Sequence, residues 1–317
     1  MQITLEGHDR PIAVEAGDTI LASLLRAGVA FPFSCQAGNC GTCKCELLSG
    51  DVLELEHSEH ALSAQERAKG IILACRSQVW DDTAIRRIDA EELVLHPSRV
   101  MRCRVLGIEA LTHDINGLRL GVEAGGPMTF SAGQYAQLEF ASGFSRHYSM
   151  ASTPHEPELA FHVRHMPGGR TSAYVATQLR VGDEVKVSGP LGISYLRDGH
   201  RGPVLLVAGG SGLAPIESIL RTLLARGHPA PVRLYFGARS DRDVYHRALL
   251  QQLAARHPNF SFQIVLGPLH ETLEFEPDGA MAYLAGPPGM VEAATAALAA
   301  RGFAPRQIHA DAFYDQA

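Results

Sequence analysis

Four cysteines constrain this chain more than any other feature. Cys35, Cys40 and Cys43 stand in the spacing C-x4-C-x2-C, and Cys75 supplies a distant fourth thiol. Three thiolates from one loop can wrap a small inorganic cluster only if other side chains stay clear of it. Gly38 and Gly41 lie inside that loop, where they permit tight turns and let backbone N–H groups aim at sulfur. Such hydrogen bonds favour the reduced, more negative cluster and raise its potential. The spacing points to a 2Fe–2S site with Cys35, Cys40, Cys43 and Cys75 as ligands. A structural zinc site normally shows two close Cys/His pairs, whereas here only Cys40 and Cys43 form one. Cys45 follows Cys43 by two positions on an expected strand and, like Cys103, reads as a small buried side chain.

At 317 residues the chain is long enough for two or three compact units, and 46% hydrophobic content supplies substantial cores. Five of the six cysteines fall in the first 75 residues, and no export signal precedes them, so metal ligation is expected over disulfides. No apolar run approaches the roughly 18 residues that span a bilayer, and the expectation is a cytoplasmic protein with no membrane partner. The net charge is −6, and the first 90 residues hold 13 acidic against 8 basic side chains. That balance excludes nucleic acid as a partner and suits docking to a basic patch on another protein. An ordinary solvated surface would carry the same charges.

The chain divides into three parts by rhythm. Residues 1–92 suggest a strand pair at Met1–Glu6 and Pro11–Val14, and a helix over Thr19–Ala27 capped by Asp18. The Cys-rich loop follows, then a strand at Cys43–Leu48, a short helix at Ser63–Lys69 and a strand at Ile71–Cys75. Residues 97–197 hold short β-rich stretches at Arg102–Ile108, Ile115–Gly121, Gln134–Phe140, Glu158–Val163 and Glu184–Ser188, which suggests an antiparallel barrel or sandwich. Residues 198–317 alternate strand and helix. Strands are expected at Val204–Ala208, Val232–Phe236, Phe260–Val265 and Met281–Leu284, with helices near Pro215–Arg226, Val244–Arg256 and Val291–Arg301. That alternation implies a doubly wound parallel sheet.

Two polar segments of the middle part stand out. Arg146-His147-Tyr148-Ser149 is one, and Gly169-Arg170-Thr171-Ser172 follows it. In the third part, Gly209-Gly210-Ser211-Gly212-Leu213-Ala214-Pro215 joins an expected strand to a helix, where glycines let phosphate approach a positive helix N-terminus. A late segment reads Ala285-Gly286-Pro287-Pro288-Gly289-Met290, and Phe313 lies in His309-Ala-Asp-Ala-Phe-Tyr.

Together these segments resemble the signatures of the ferredoxin–NADP reductase superfamily. The resemblance implies that Arg146 neutralises the flavin pyrophosphate, that Tyr148 lies against the ring and ribityl chain, and that Ser149 hydrogen-bonds near flavin N5. It places His147 beside them and pyrophosphate contacts at Gly169, Arg170, Thr171 and Ser172. His162-Val163-Arg164 matches the strand whose backbone edges the flavin ring, although His162 also reads as a satisfied strand histidine. Gly209, Gly210, Ser211 and Gly212 match the nicotinamide cofactor's phosphate turn. Gly286, Pro287 and Met290 match the nicotinamide pocket, from which the chain departs at Ala285, where relatives carry cysteine. Phe313 stands where relatives stack an aromatic on the flavin, and an aromatic packed for stability would occupy the same place.

In domain order, the whole chain is similar to reductase components of bacterial aromatic-ring (Rieske-type) oxygenases, most closely the naphthalene dioxygenase reductase type. Thr112-His113-Asp114-Ile115, Phe130-Ser131-Ala132-Gly133-Gln134-Tyr135 and Ser188-Gly189-Pro190-Leu191-Gly192 carry that closeness. The resemblance implies a β-grasp plant-type 2Fe–2S ferredoxin domain (1–92), a β-barrel FAD domain (97–197) and an NAD domain (198–317). It implies a monomeric NADH-dependent reductase passing electrons through FAD and the cluster to an oxygenase component or an intermediary ferredoxin, by way of the acidic first domain. Ser149 and Phe313 would act closest to the chemistry. Arg239, after Phe236-Gly237-Ala238, is placed for adenine, ribose or a 2′-phosphate and leaves NADPH open. Reductases of haem monooxygenases and di-iron hydroxylases share this pattern, and a self-contained flavin oxidoreductase acting on a small molecule is the alternative activity.

Overall fold

The structure, a computed structural model, describes residues 1–33, 36–39, 41–59, 61–88, 94 and 96–314. The chain forms two compact units, Met1–Leu95 with Tyr314–Ala317, and His96–Phe313. Among the described residues no helix is long and apolar enough to cross a membrane.

The first unit contains β1 (Gln2–Leu5), β2 (Ile12–Ala13), α1 (Ile20–Arg26), β3 (Lys44–Ser49), β4 (Val52–Glu54), α2 (Ala64–Arg67), β5 (Ile71–Leu73), β6 (Ser77–Val79) and β7 (Thr83–Arg87). Five strands make a mixed sheet in the order β2-β1-β7-β3-β5, in which β1 and β7 are parallel and the other pairs antiparallel. Ile20, Leu21 and Leu24 recur at helical spacing and are fully buried, so α1 turns one apolar stripe inward. Its N-cap is Thr19, one residue later than expected, because Thr19 Oγ1 accepts from Ala22 N at 3.2 Å. Asp18 pairs instead with Arg26, one helix length away. α2 starts with a capping box, in which the Ser63 hydroxyl accepts from Glu66 N and Ser63 N donates to Glu66.

The second unit begins with β8 (Arg99–Ala110), β9 (Ile115–Ala124), β10 (Tyr135–Phe140), β11 (Ser145–Ser149), β12 (Glu158–Arg164), α3 (Arg170–Thr177) and β13 (Glu184–Leu191). The six strands pair antiparallel in the order β11-β10-β13-β8-β9-β12. A bridge between Met150 and Phe161 ties the two edges, leaving a nearly closed barrel filled by Leu118, Leu120, Leu138, Phe161 and Val187.

It continues with β14 (Val204–Gly209), α4 (Leu213–Ala225), β15 (Val232–Ala238), α5 (Arg247–Arg256), β16 (Phe260–Leu266), β17 (Met281–Gly286), α6 (Pro288–Ala300) and β18 (Ile308–Ala312). The strands form an all-parallel sheet in the order β16-β15-β14-β17-β18. The central strand β14 shows why the sheet is doubly wound. Val204, Leu206 and Ala208 enter the core shared with Ile216, Ile219 and Leu220 of α4, while Leu205 and Val207 enter the opposite core with Val291, Ala294 and Leu298 of α6. Side chains alternate faces along a strand, so an unbroken apolar run is what a strand covered on both sides requires. Each of these buried Leu and Val side chains contributes roughly 1.5–3 kcal/mol relative to exposure.

Candidate cofactor and electron-transfer sites

In the first unit, Cys43 and Cys75 are brought side by side by the β3–β5 pairing. Lys44 opposes Leu73, and Ala74 N donates to Cys43 O at 3.0 Å. Both thiols are buried. Cys35 and Cys40 lie outside the described residues. Gly38 (φ +76°) and Gly41 (φ +71°) occupy the left-handed region, and a Cβ on Gly38 would come within 2.8 Å of Arg76 and His57. Another on Gly41 would come within 2.9 Å of Ala61 O. The loop is therefore a cradle that admits no side chain at either point, as a thiolate-held cluster requires. Cys45 points away into the core with no exposure, and burial, with the neighbouring Cys75, pushes its thiol up to about 12.

In the second unit, the segment Ser145–Ser149 forms β11, paired to β10 with Ser149 opposite Tyr135 and Tyr148 opposite Ala136. Arg146 is exposed and donates to Ser145 O at 3.0 Å. Tyr148 packs against the barrel core, where burial pushes its phenol up to about 12. His147 rests on Tyr135 with ring centroids 5.1 Å apart, and burial, then the Arg146 charge, lower its pKa. Ser149 is buried, and its hydroxyl donates to Asp311 Oδ2 of β18 at 3.3 Å.

Gly169 precedes α3, and no side chain caps that helix, so the first-turn N–H groups are left for a ligand or solvent. Thr171 and Ser172 are buried behind the turn; Ser172 Oγ accepts from Met166 N at 3.1 Å, and the Arg170 guanidinium lies 3.8 Å over the Phe144 ring. Along β12, Val163 faces the barrel core while His162 and Arg164 face outward from it. Arg164 pairs with Asp114 at 2.8 Å, and the exposed Arg239 reaches the same carboxylate at 3.4 Å. Burial alone would raise the Asp114 carboxyl, but the Thr112 hydroxyl and the Arg164 guanidinium outweigh it and hold it low.

The glycine turn and the late segment pack directly on one another. Gly210–Gly212 makes a single 3₁₀ turn leading into α4 with no side-chain cap, and Ser211 is half-buried on it. A Cβ on Gly212 would overlap the carbonyl oxygen of Ala285, and one on Gly209 would overlap the Met290 sulfur. Gly286 adopts φ +145°, and a Cβ there would lie 2.8 Å from Gly209 O. Pro287 precedes α6, which also lacks a side-chain cap. Phe313 N donates to Gly286 O at 2.9 Å. Gly209, Gly212, Gly286, Met290 and Phe313 thus meet at the carboxyl ends of β14, β17 and β18, where open parallel sheets bind ligands.

Residues 3–79 match the 2Fe-2S iron-sulfur cluster binding domain, residues 102–195 the oxidoreductase FAD-binding domain and residues 206–272 the oxidoreductase NAD-binding domain. The chain is 41% identical to the ferredoxin–NAD(P)+ reductase component of the naphthalene 1,2-dioxygenase system of Pseudomonas putida, with 99% of each chain covered. It belongs to the ferredoxin–NAD(P)+ reductase components of oxygenase systems.

Other members of this reductase family are equally extensive matches. The reductase subunit of an aromatic O-demethylase from Amycolatopsis is 39% identical over 96% of both chains. The crystal structure of a cytochrome P450 reductase from Amycolatopsis superposes with a TM-score of 0.83 at 38% identity, covering 98% of each chain. As a reductase of this family the chain is an oxidoreductase with 2Fe–2S, FAD and NAD domains, in the order and folds the sequence implied. The uncapped turn at Gly169 and the glycine turn at Gly209–Gly212 suit the phosphates of FAD and NADH, and the side-chain-free cradle at Gly38 and Gly41 suits the cluster. Sequence reasoning gave no role to Asp311 or to Glu217, Tyr245 and His246. Asp311 carried no sequence signal, because β18 was not legible as a strand.

Proposed function

We propose that this reductase draws electrons from NADH and delivers them to an oxygenase component, most closely of the Rieske aromatic-ring hydroxylating class. The relatives' names support an oxygenase system as the acceptor, and the naphthalene dioxygenase match supports the ring-hydroxylating class over a haem or di-iron monooxygenase. When bound, FAD divides the electron pair of NADH into single electrons and the cluster carries them one at a time.

The observation that carries the reading is the Ser149–Asp311 hydrogen bond. It joins the barrel strand bearing Arg146 and Tyr148 to the sheet strand that leads to Phe313. In this reading Arg146 offers a guanidinium to the flavin pyrophosphate, as charge-assisted bidentate contacts favour. The backbone N–H groups at the start of α3 assist it, and Tyr148 presents its ring to the flavin. Ser149, its proton held by Asp311, would offer its hydroxyl oxygen where flavin N5 is received. His162, Val163 and Arg164 supply the strand edge beside the ring, and Phe313 covers the opposite face until nicotinamide takes its place. Gly209, Gly210, Ser211 and Gly212 grip the NADH phosphates, while Gly286, Pro287 and Met290 wall the nicotinamide pocket and Arg239 meets the ribose side. Cys35, Cys40, Cys43 and Cys75 ligate the cluster. The excess of acidic side chains in the first 90 residues favours docking to a basic partner surface, with this chain monomeric and cytoplasmic.

Anaerobic titration with NADH, and separately with NADPH, tests the reading by visible absorbance and EPR. Flavin bleaching followed by a rhombic reduced-cluster signal supports it. Turnover of a small organic acceptor at full rate with no protein partner would replace it with the self-contained oxidoreductase.

A further inference from the structure

The second unit contains an open cavity of about 240 Å³ between the barrel and the nucleotide sheet, lined by Glu109, Gly117, Arg119 and Phe161 among others. Its wall carries three side chains from three separate segments: His162 of β12, Glu217 of α4 and His246 just before α5. One potential ligand atom from each lies within 4.8 Å of the other two. We propose that His162, Glu217 and His246 form a divalent-metal site of the zinc class, bridging the flavin-binding barrel to the nucleotide-binding sheet.

The donor set selects the class of ion. Two imidazoles and one carboxylate suit zinc, with a fourth position left for water, and this set is too nitrogen-rich for calcium or magnesium. The fourth position faces the cavity, which is large enough to hold water.

The surroundings give one ligand an outer oxygen partner. Tyr245 Oη donates to Gly210 O at 3.3 Å, so its lone pairs face His162 Nδ1, 3.0 Å away. With its proton on Nδ1, which Tyr245 Oη is placed to accept, His162 keeps a lone pair on Nε2. An oxygen acceptor on the second ring nitrogen is the usual outer support of a metal-bound histidine. Tyr245 and His246 hold the ring edge-on, with centroids 5.2 Å and 5.3 Å away.

An ordinary ion pair accounts for only part of this arrangement. His246 Nδ1 lies 2.6 Å from Glu217 Oε2, and Arg221 lies 3.7 Å from Glu217 Oε1, so Glu217 is compensated without any metal. That pairing gives no part to His162, which completes the triangle. It also gives no reason for His246 to adopt φ +54°, a left-handed backbone that non-glycine residues seldom take. A metal would tie all three segments and, through Tyr245, the turn at Gly210. The site does not depend on which donor or acceptor the reductase uses.

The test uses the holoenzyme, with the cluster's iron as an internal count. The protein is stripped with a zinc chelator that leaves the iron in place, equilibrated with Zn²⁺, dialysed and analysed for zinc and iron. One zinc per two irons is expected for the wild type, together with a melting midpoint that rises on adding zinc. Glu217→Gln, His246→Ala and His162→Gln should each abolish both, while far-UV circular dichroism and iron content show that the variants are folded. A wild type that retains no zinc, or three variants that retain it fully, would overturn the site. Loss in Glu217→Gln and His246→Ala with full retention in His162→Gln would also overturn it, since the bridge to the barrel would be absent.

Discussion

Ser149 and Asp311 are 162 positions apart in sequence, yet the Ser149 hydroxyl donates to the Asp311 carboxylate at 3.3 Å in a buried setting. The contact ties the end of β11 to the strand that leads to Phe313. Ser149→Ala removes one hydrogen bond of about 1.5–3 kcal/mol to a charged or developing-charge partner. Stopped-flow reduction of the flavin by NADH should slow by about 10–100-fold. Flavin content should not change.

The glycine turn gives an internally controlled pair of substitutions. Gly212→Ala drives a methyl into the rigid carbonyl of Ala285, whereas Gly209→Ala meets the movable Met290 thioether. The first should cost about 3 kcal/mol and abolish NADH-dependent flavin reduction, and the second about 1 kcal/mol. Adding Met290→Ala to Gly209→Ala should restore the melting midpoint but not to Gly212→Ala.

Cysteines on neighbouring strands should part company by spectroscopy. Cys75→Ser should remove the cluster's visible absorbance and its EPR signal, because a distant thiolate is lost. Cys45→Ala should keep both, because its buried thiol faces the core, and should cost only about 1 kcal/mol from the small void.

Arg146 is exposed, so its removal costs little folding energy. Arg146→Ala should nonetheless weaken FAD binding by about 10–100-fold, the value of one charge-assisted phosphate contact. Equilibrium dialysis of the apoprotein with FAD measures this directly, and Arg146→Lys should recover part of the loss.

Acid should weaken the cluster domain through Glu66. The Lys44 ammonium, 2.6 Å away, and then Ser63 N hold this carboxyl at about 2, below its ordinary 4.5. A depressed carboxyl stabilises the fold above its unfolded value, and that stability disappears as pH falls from about 4.5 toward 2. The side chain is 38% exposed, so screening keeps the effect below about 1 kcal/mol. In denaturation followed by cluster absorbance, wild type should exceed Glu66→Gln at neutral pH, and the two should converge in acid.

Much of this molecule could be read before its coordinates. The alternation of strand with helix is a local signal and folded as read; of the spaced cysteines, Cys43 and Cys75 lie side by side, while Cys35 and Cys40 lie outside the described residues. The strands that escaped include β4, β6 and β7 of the first unit, and β11 and β18, which meet at Ser149 and Asp311. β11 shows no apolar alternation, and in β18 the alternation is inverted, burying His309 and Asp311 rather than the alanines. The start of α5 was misplaced from Val244 to Arg247 because His246 is left-handed, which composition does not announce. Glu217 and His246 are 29 positions apart, and only the packing of α4 against the turn before α5 makes them neighbours.

The parallel pairing of β1 with β7 has a consequence for how such chains arise. Ile3 pairs with Thr83 and Leu5 with Ile85, so the iron–sulfur sheet is stitched shut by its own first and last strands. A module whose two ends emerge from adjacent central strands can be cut out and joined elsewhere without breaking its sheet. Gene rearrangement would then treat the electron-exporting part as a detachable plug, free to precede a reductase, follow one or stand alone as a small carrier.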